Sequence, residues 1–189
     1  MAKFEELELY YDNLRNAFAE KNETYYYNTD RSHNATVMRF MFDNASNINM
    51  YCGELSVLRN GFYQKINEDA GKLKDSMITS LNSFLEKEKS KLVVVLENFS
   101  EDIFNDLICA DLFKGKMKEN KISLYKLSDD FSFKKDINHF CYTDTNIVRF
   151  EEDKMRHNAI CIFHSDSYIE TMKNNFSILL NIAKKAEEN

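Results

Sequence analysis

Apolar positions along this chain alternate between helical and strand-like spacing. Phe4, Leu7, Tyr11, Leu14 and Phe18 recur every three or four residues, which predicts an amphipathic helix over 3–21 with an aromatic stripe. Tyr25, Tyr26 and Tyr27 make a short β-prone piece. Ser32 is placed to cap a helix over 33–45 that buries Val37, Phe40 and Met41. Residues 48–52 read as a strand, and Gly53 to Ser56 as a turn into a helix carrying Leu55, Leu58, Phe62 and Ile66. The polar stretch 67–73 is a loop or helix break before a helix over 74–88. Residues 92–96 are apolar at every position, as expected of a strand covered on both faces. Ser100, Glu101 and Asp102 open another helix with acidic residues at its positive end; it carries Ile103, Phe104, Leu107 and Ile108. Residues 114–121 are charged and solvated, 122–127 alternate as a strand does, and 128–135 form a polar loop. A hairpin over 136–151, a strand over 158–163 and a final helix from Asp166 complete the chain.

Strands interleaved with helices predict an α/β fold, a mixed β-sheet flanked by helices on both faces with one antiparallel hairpin. No repeat or linker divides residues 1–189, so one domain is expected, with a helical extension over 1–30 and a core over 35–185. An apolar share of 43% and an aromatic share of 13% exclude a disordered chain. With no Pro and 4 Gly, turns must be built from Asn, Asp and Ser.

A net charge of −6 argues against a broad non-specific nucleic-acid surface and leaves room for a local basic groove. Cys52, Cys109, Cys141 and Cys161 are widely spaced without a CxxC pair, which reads as buried thiols in a reducing compartment; no metal site and no cofactor are expected. The start of the chain is acidic and amphipathic and is unlike a signal peptide. No apolar run approaches the roughly 18 residues that span a bilayer, so a cytoplasmic location without membrane contact is expected. Neither a glycine-rich phosphate loop nor a GxSxG elbow is present, and the adjacent acids Glu151, Glu152 and Asp153 alternate faces on a strand and do not form a catalytic pair.

The strand and turn from Asn47 to Leu55, the hairpin with His139, Asp144 and Arg149, and the turn His164-Ser165-Asp166 together resemble a phospholipase D-like domain. The resemblance covers residues 35–185. It implies that family's fold, preceded here by the amphipathic helix, and draws attention to its motif His-x-Lys-x(4)-Asp. In that family the His attacks phosphorus, while the Lys two residues on points the same way and neutralises the phosphate oxygens. Laying Asp144 on the motif Asp puts Ile137 at the His position and His139 at the Lys position. Laying His139 on the motif His puts Cys141 at the Lys position and Asn146 at the Asp position. In either register residues 137, 139 and 141 are expected on one face, and neither register restores His with Lys.

The resemblance therefore implies a degenerate site. His139 stands as a nucleophile, a phosphate ligand or a structurally satisfied histidine. Arg149 is a bridge to Glu151, Glu152 or Asp144, or an anion ligand. His164 and Ser165 lie near the phosphate by resemblance, while Ser165 or Asp166 caps the last helix. His33 is expected on the surface, and His157 with Lys154 and Arg156 in a small positive loop. The reading that follows is a non-catalytic assembly or recognition subunit with a protein partner, by resemblance a homodimer that brings two motif hairpins together, in a setting such as a bacterial nuclease or defence complex. One alternative is a phosphodiesterase or nuclease using His139, with Arg149 or Lys135 supplying positive charge. Another is an unrelated α/β interaction domain that docks a partner through Phe4, Leu7, Tyr11, Leu14 and Phe18.

Overall fold

The computed structural model describes residues 3–28, 30–66, 69–153 and 158–187. In chain order its elements are α1 (Phe4–Ala19), β1 (Thr24–Asn28), α2 (Arg31–Asn44), β2 (Asn47–Cys52), α3 (Asn60–Tyr63), α4 (Ala70–Glu86), β3 (Lys91–Leu96), α5 (Glu101–Asn105), α6 (Ala110–Lys118), β4 (Ile122–Lys126), β5 (Phe140–Thr143), β6 (Ile147–Asp153), β7 (Asn158–Phe163) and α7 (Asp166–Glu187). Short 3-10 turns occupy Ser56–Leu58 and Ser132–Lys135.

The strands form one sheet in the order β1-β7-β6-β5-β2-β3-β4. β2, β3 and β4 run parallel; β5 pairs with β2 antiparallel, and the antiparallel ladder continues through β6 and β7 to β1. Strand β2 is thus the line at which sheet direction changes. The two-residue period of a strand sorts side chains to two faces. Cys141, Ile147, Cys161 and Phe163 point to the face covered by α1, α2 and α4. Phe140, Tyr142, Val148, Ile160 and Ile162 point to the other, where Ile169, Met172, Phe176 and Leu179 of α7 cover them. The α/β class with helices on both faces and an N-terminal helix is therefore the architecture observed.

Several local expectations change. Residues 1–30 are more than a helical extension, because Thr24 to Asn28 form an edge strand of the sheet, in register with β7. The α1 stripe is turned inward: Leu7 and Leu14 are buried in the core shared with α2, and Phe4, Tyr11 and Phe18 pack against it. The core reading of the stripe thus holds for Leu7 and Leu14, with Phe4, Tyr11 and Phe18 half-buried at its margin. The cap of α2 is Asp30, whose carboxylate accepts from the His33 amide at 2.9 Å, while Ser32 lies buried in the first turn. The expected helix after β2 is broken into a 3-10 turn and the single turn α3; Leu55 there takes a left-handed φ of 57°. α4 begins at Ala70, inside the stretch read as a loop. α5 ends at Asn105, so Leu107 is buried beyond it, where it bridges to Arg59. Cys109 precedes α6 as its cap residue and is not within a helix. Lys154, Arg156 and His157 lie outside the described residues.

Lysines close two helix C-termini. The Lys87 ammonium donates to the carbonyls of Phe42, Asp43 and Ala45 at the end of α2. Lys121 does the same for Leu85 and Lys87 after α4. Cations there meet both orphan carbonyls and the negative end of the helix dipole.

Asp30→Ala removes the α2 cap and is expected to lower unfolding stability by about 1 kcal/mol at neutral pH. The hydrogen-bonded His33 ring holds the Asp30 carboxyl below its ordinary value. A depressed carboxyl contributes stability above its unfolded pKa and loses it as pH falls through the folded one. The gap between wild type and variant in urea unfolding is therefore expected to shrink below about pH 4.

Candidate functional site

The two faces of the sheet decide which polar side chains meet. β5 begins at Phe140, and His139 immediately precedes it. Counting back by two from Cys141 sets His139 on the α2 face, and counting on from Ile147 sets Arg149 and Glu151 there as well. β5 and β6 are neighbours in the ladder: Cys141 is paired with Arg149, and the Glu151 amide bonds to the His139 carbonyl at 2.8 Å. Glu97 follows the last residue of β3, and its amide extends the parallel pairing by bonding the Cys52 carbonyl at 3.0 Å. The carboxyl ends of β2 and β3, the start of β5 and the far part of β6 therefore converge at one end of the sheet.

The His139 ring occupies that junction. Its Nδ1 lies 2.9 Å from Glu151 Oε2 and its Nε2 lies 3.2 Å from Glu97 Oε1. The Tyr51 hydroxyl donates to the same Glu97 oxygen at 2.7 Å, and the Tyr51 ring meets the imidazole edge-on. On the other side, Arg149 Nη2 is 3.7 Å from Glu151 Oε1, while its Nε and Nη2 donate to Asn34 Oδ1 of α2 at 3.2 and 3.1 Å. Side-chain exposure is only 17% for His139, 14% for Glu97, 8% for Glu151 and 12% for Arg149, so these groups are largely withdrawn from water. A β-carbon at Gly53 would come within 3.4 Å of His139 Cε1, so the glycine lets the ring lie close against the end of β2.

A neutral imidazole has one N–H and one acceptor nitrogen. An imidazolium set between two carboxylates balances both by charge and donates to Glu151 through Nδ1. In that state the cluster of His139, Arg149, Glu97 and Glu151 is formally neutral. A nucleophilic imidazole needs the opposite arrangement, with an unprotonated nitrogen aimed at the substrate. Here Nδ1 is hydrogen-bonded to Glu151, while Nε2 lies 3.2 Å from Glu97 Oε1 without the alignment of a hydrogen bond.

A cavity of about 460 Å³ opens beside this junction. Arg31, Arg59, Lys65 and Arg149 line it against Glu54 and Glu151, four cations to two acids, so its wall carries a positive surplus in a chain of net charge −6. Arg59 is held by Glu54 at 2.6 Å and Asp106 at 2.9 Å. The floor is apolar and sulfur-rich, with Met38, Met50, Cys52 and Cys141.

Neither motif register survives as a site. Cys141, at the Lys position when His139 takes the His position, is buried with its sulfur 3.6 Å from Met38 Sδ and 3.5 Å from Met41 Sδ. Ile137 does not share a face with His139 and Cys141: it precedes the strand and packs into the α7 cluster. Asp144 sits at the hairpin turn, at the opposite end of β5 from His139, where it accepts from the Ser46 amide and the Asn47 side chain at 3.0 and 3.1 Å. Asp144 is therefore not the partner of Arg149; the carboxylate nearest that guanidinium is Glu151.

His164 and Ser165 are not near His139 either. The His164 amide bonds the Asn146 carbonyl at the hairpin turn, its Nε2 contacts the Phe18 carbonyl at 2.7 Å, and its ring stacks on Phe18. The sheet register thus puts the His164 turn and the His139 junction at opposite ends of the hairpin. The residues that sequence reasoning missed are Glu97, Tyr51 and Asn34. Their signal lay in position: Tyr51 and Glu97 stand at the carboxyl ends of adjacent parallel strands, where sites in α/β sheets gather. Among the described residues no group of three His, Cys, Asp or Glu side chains is placed to hold a metal, and no helix is long and apolar enough to cross a membrane.

No family model matches this chain, and no curated protein does. Among solved structures, a phosphatidylserine synthase from Haemophilus influenzae Rd KW20, an enzyme of the phospholipase D superfamily, superposes with a TM-score of 0.51 at 6% identity. The match covers 85% of this chain and 39% of that one. At that identity the likeness is one of fold.

Removing the imidazole leaves two largely buried carboxylates facing each other. His139→Ala is expected to cost about 3 kcal/mol in urea unfolding, with Glu97→Gln in the His139→Ala background recovering part of it. Burial pushes the Cys141 thiol up to about 11 and the Cys52 thiol up to about 12. The thiolate is the reactive form. Both cysteines are therefore expected to resist iodoacetamide at pH 8 in the folded protein and to label fully in denaturant, as read by peptide mass.

Proposed function

We propose that this chain is a phospholipase D-like domain that does not cleave phosphodiesters and serves as an assembly or recognition subunit. The observation that carries this reading is the imidazole of His139 held between Glu97 and Glu151. Attack on phosphorus needs a free imidazole nitrogen and a cation to offset the phosphate oxygens. At this junction an incoming phosphodiester would meet two carboxylates, and the register position of the family's lysine holds a cysteine packed on methionine sulfurs. The fold likeness to a phospholipase D-superfamily enzyme supports the scaffold in this reading.

Recognition rests on the cavity. Its cationic wall favours an anionic group on the partner, presented against Arg31 and Arg149. A cavity of this volume also suits a small ligand or one inserted side chain. A place among the accessory subunits of a bacterial nuclease or defence complex fits a domain of this kind, with a protein as the partner.

The test is turnover. Purified protein, with chelator present, is incubated with bis(p-nitrophenyl) phosphate and with single- and double-stranded DNA. Wild type and His139→Ala are expected to match the background rate. Cleavage by wild type that vanishes in His139→Ala, or a phosphorylated imidazole trapped during turnover, would establish the phosphodiesterase alternative and end this proposal.

A further inference from the structure

The two outer strands of the sheet are defended differently. An edge strand presents unpaired backbone N–H and C=O groups, and proteins commonly guard it with lysine, proline or a bulge. β4 carries Lys126 at its end. β1 has the sequence Thr-Tyr-Tyr-Tyr-Asn, with no charge, no proline and an unbroken register against β7. Apart from that ladder, no backbone hydrogen bond among the described residues reaches Thr24 to Asn28.

Side chains on β1 divide between the faces. Tyr26 turns toward α1 and packs against the core, its ring edge-on to Tyr10. Tyr25 and Tyr27 take the α7 face and are exposed by 41% and 68%. Tyr25 is in edge contact with Tyr168, at the start of α7, and its hydroxyl donates to Glu23.

We infer that β1 is an interaction surface for a second copy of this chain, which pairs its own β1 antiparallel across a twofold axis at Tyr26. A strand that pairs with itself this way must be self-complementary about its centre. With Tyr26 on the axis, Thr24 meets Asn28 of the second copy, and Tyr25 meets Tyr27 of the second copy. By symmetry the Tyr25–Tyr27 pair forms twice, on one face, between the two rings that the single chain leaves in water. Aromatic cross-strand pairs are among the favourable ones in antiparallel sheets, and no like charges fall opposite each other within the five paired residues. The result is one sheet running through both copies. An extended segment of another protein would also fit an open edge, but it would not reproduce this symmetric pairing.

This inference is independent of the proposed function. β7 and β6 stand between β1 and β5, so pairing at β1 leaves the two His139 cavities apart and open, unlike a dimer that brings the hairpins together.

Sedimentation velocity of the full chain in the high-micromolar range is expected to show a dimer. Tyr27→Lys places a guard on the exposed face and is expected to weaken association at least about tenfold with an unchanged circular dichroism spectrum. The double variant Tyr25→Cys with Tyr27→Cys is expected to form a disulfide-linked dimer whose crosslinked peptide joins position 25 of one copy to position 27 of the other. The single variant Tyr27→Cys lacks that pairing and is expected to stay unlinked. A monomer throughout the concentration range, a dimer indifferent to Tyr27→Lys, or equal crosslinking in the single and double cysteine variants would overturn the inference.

Discussion

The imidazole of His139 sits where the ends of β2, β3, β5 and β6 meet. Glu97 comes from the end of β3, Glu151 from β6 and Tyr51 from β2, and each reaches the ring or a carboxylate bonded to it. Arg149 and Asn34 carry the chain of contacts on to α2. Two carboxylates so far withdrawn from water repel each other and lose their solvation unless a donor stands between them. A protonated imidazole between them, bonded to Glu151 and within 3.2 Å of Glu97, meets that need, and with Arg149 it brings the cluster to formal neutrality. The same arrangement that closes this end of the sheet sets a carboxylate beside each nitrogen of the ring.

Much of the scaffold was legible because periodicity reports burial. The all-apolar 92–96 run became the parallel strand β3 between β2 and β4, and the alternation along the first strand of the hairpin put His139 and Cys141 on one face before any contact was known. Where the backbone departs from regular geometry, periodicity lost its hold. Ile137 was expected beside His139, yet the strand starts only at Phe140, so the residue is free to turn to the α7 side. Asp30 displaced Ser32 as the cap because the helix begins two residues earlier than its apolar residues announce.

The junction itself was half visible. His139 and Arg149 stood out by chemistry, and Glu151 by its proximity to Arg149 in sequence. Glu97 could be tied to His139 only through the sheet order, which brings β3 within reach of β5 by way of β2. Reading His164 and Ser165 beside the same ring came from family resemblance, and the antiparallel register overrules it: the turn of a hairpin and the open ends of its strands are opposite ends. Overall charge was similarly a poor guide to the cavity. A net value of −6 conceals a wall with four cations, because most acids lie elsewhere on the surface.

The departure from a catalytic arrangement is spread over three strands rather than lodged in one residue. A lysine at position 141 would have to bury its stem where Cys141 now fits against Met38 and Met41, and its ammonium would sit on a sulfur-rich, apolar floor. Even with that cation in place, the His139 ring would still lie between Glu97 and Glu151, bonded to the latter through Nδ1. Freeing the ring would require neutral side chains at both acids, which in turn would leave Arg149 as an uncompensated cation at 12% exposure beside Asn34. Each step toward a nucleophile undoes a contact that another element depends on. Coupled substitutions at the end of β3 and on β5 and β6 would be needed together to free the ring.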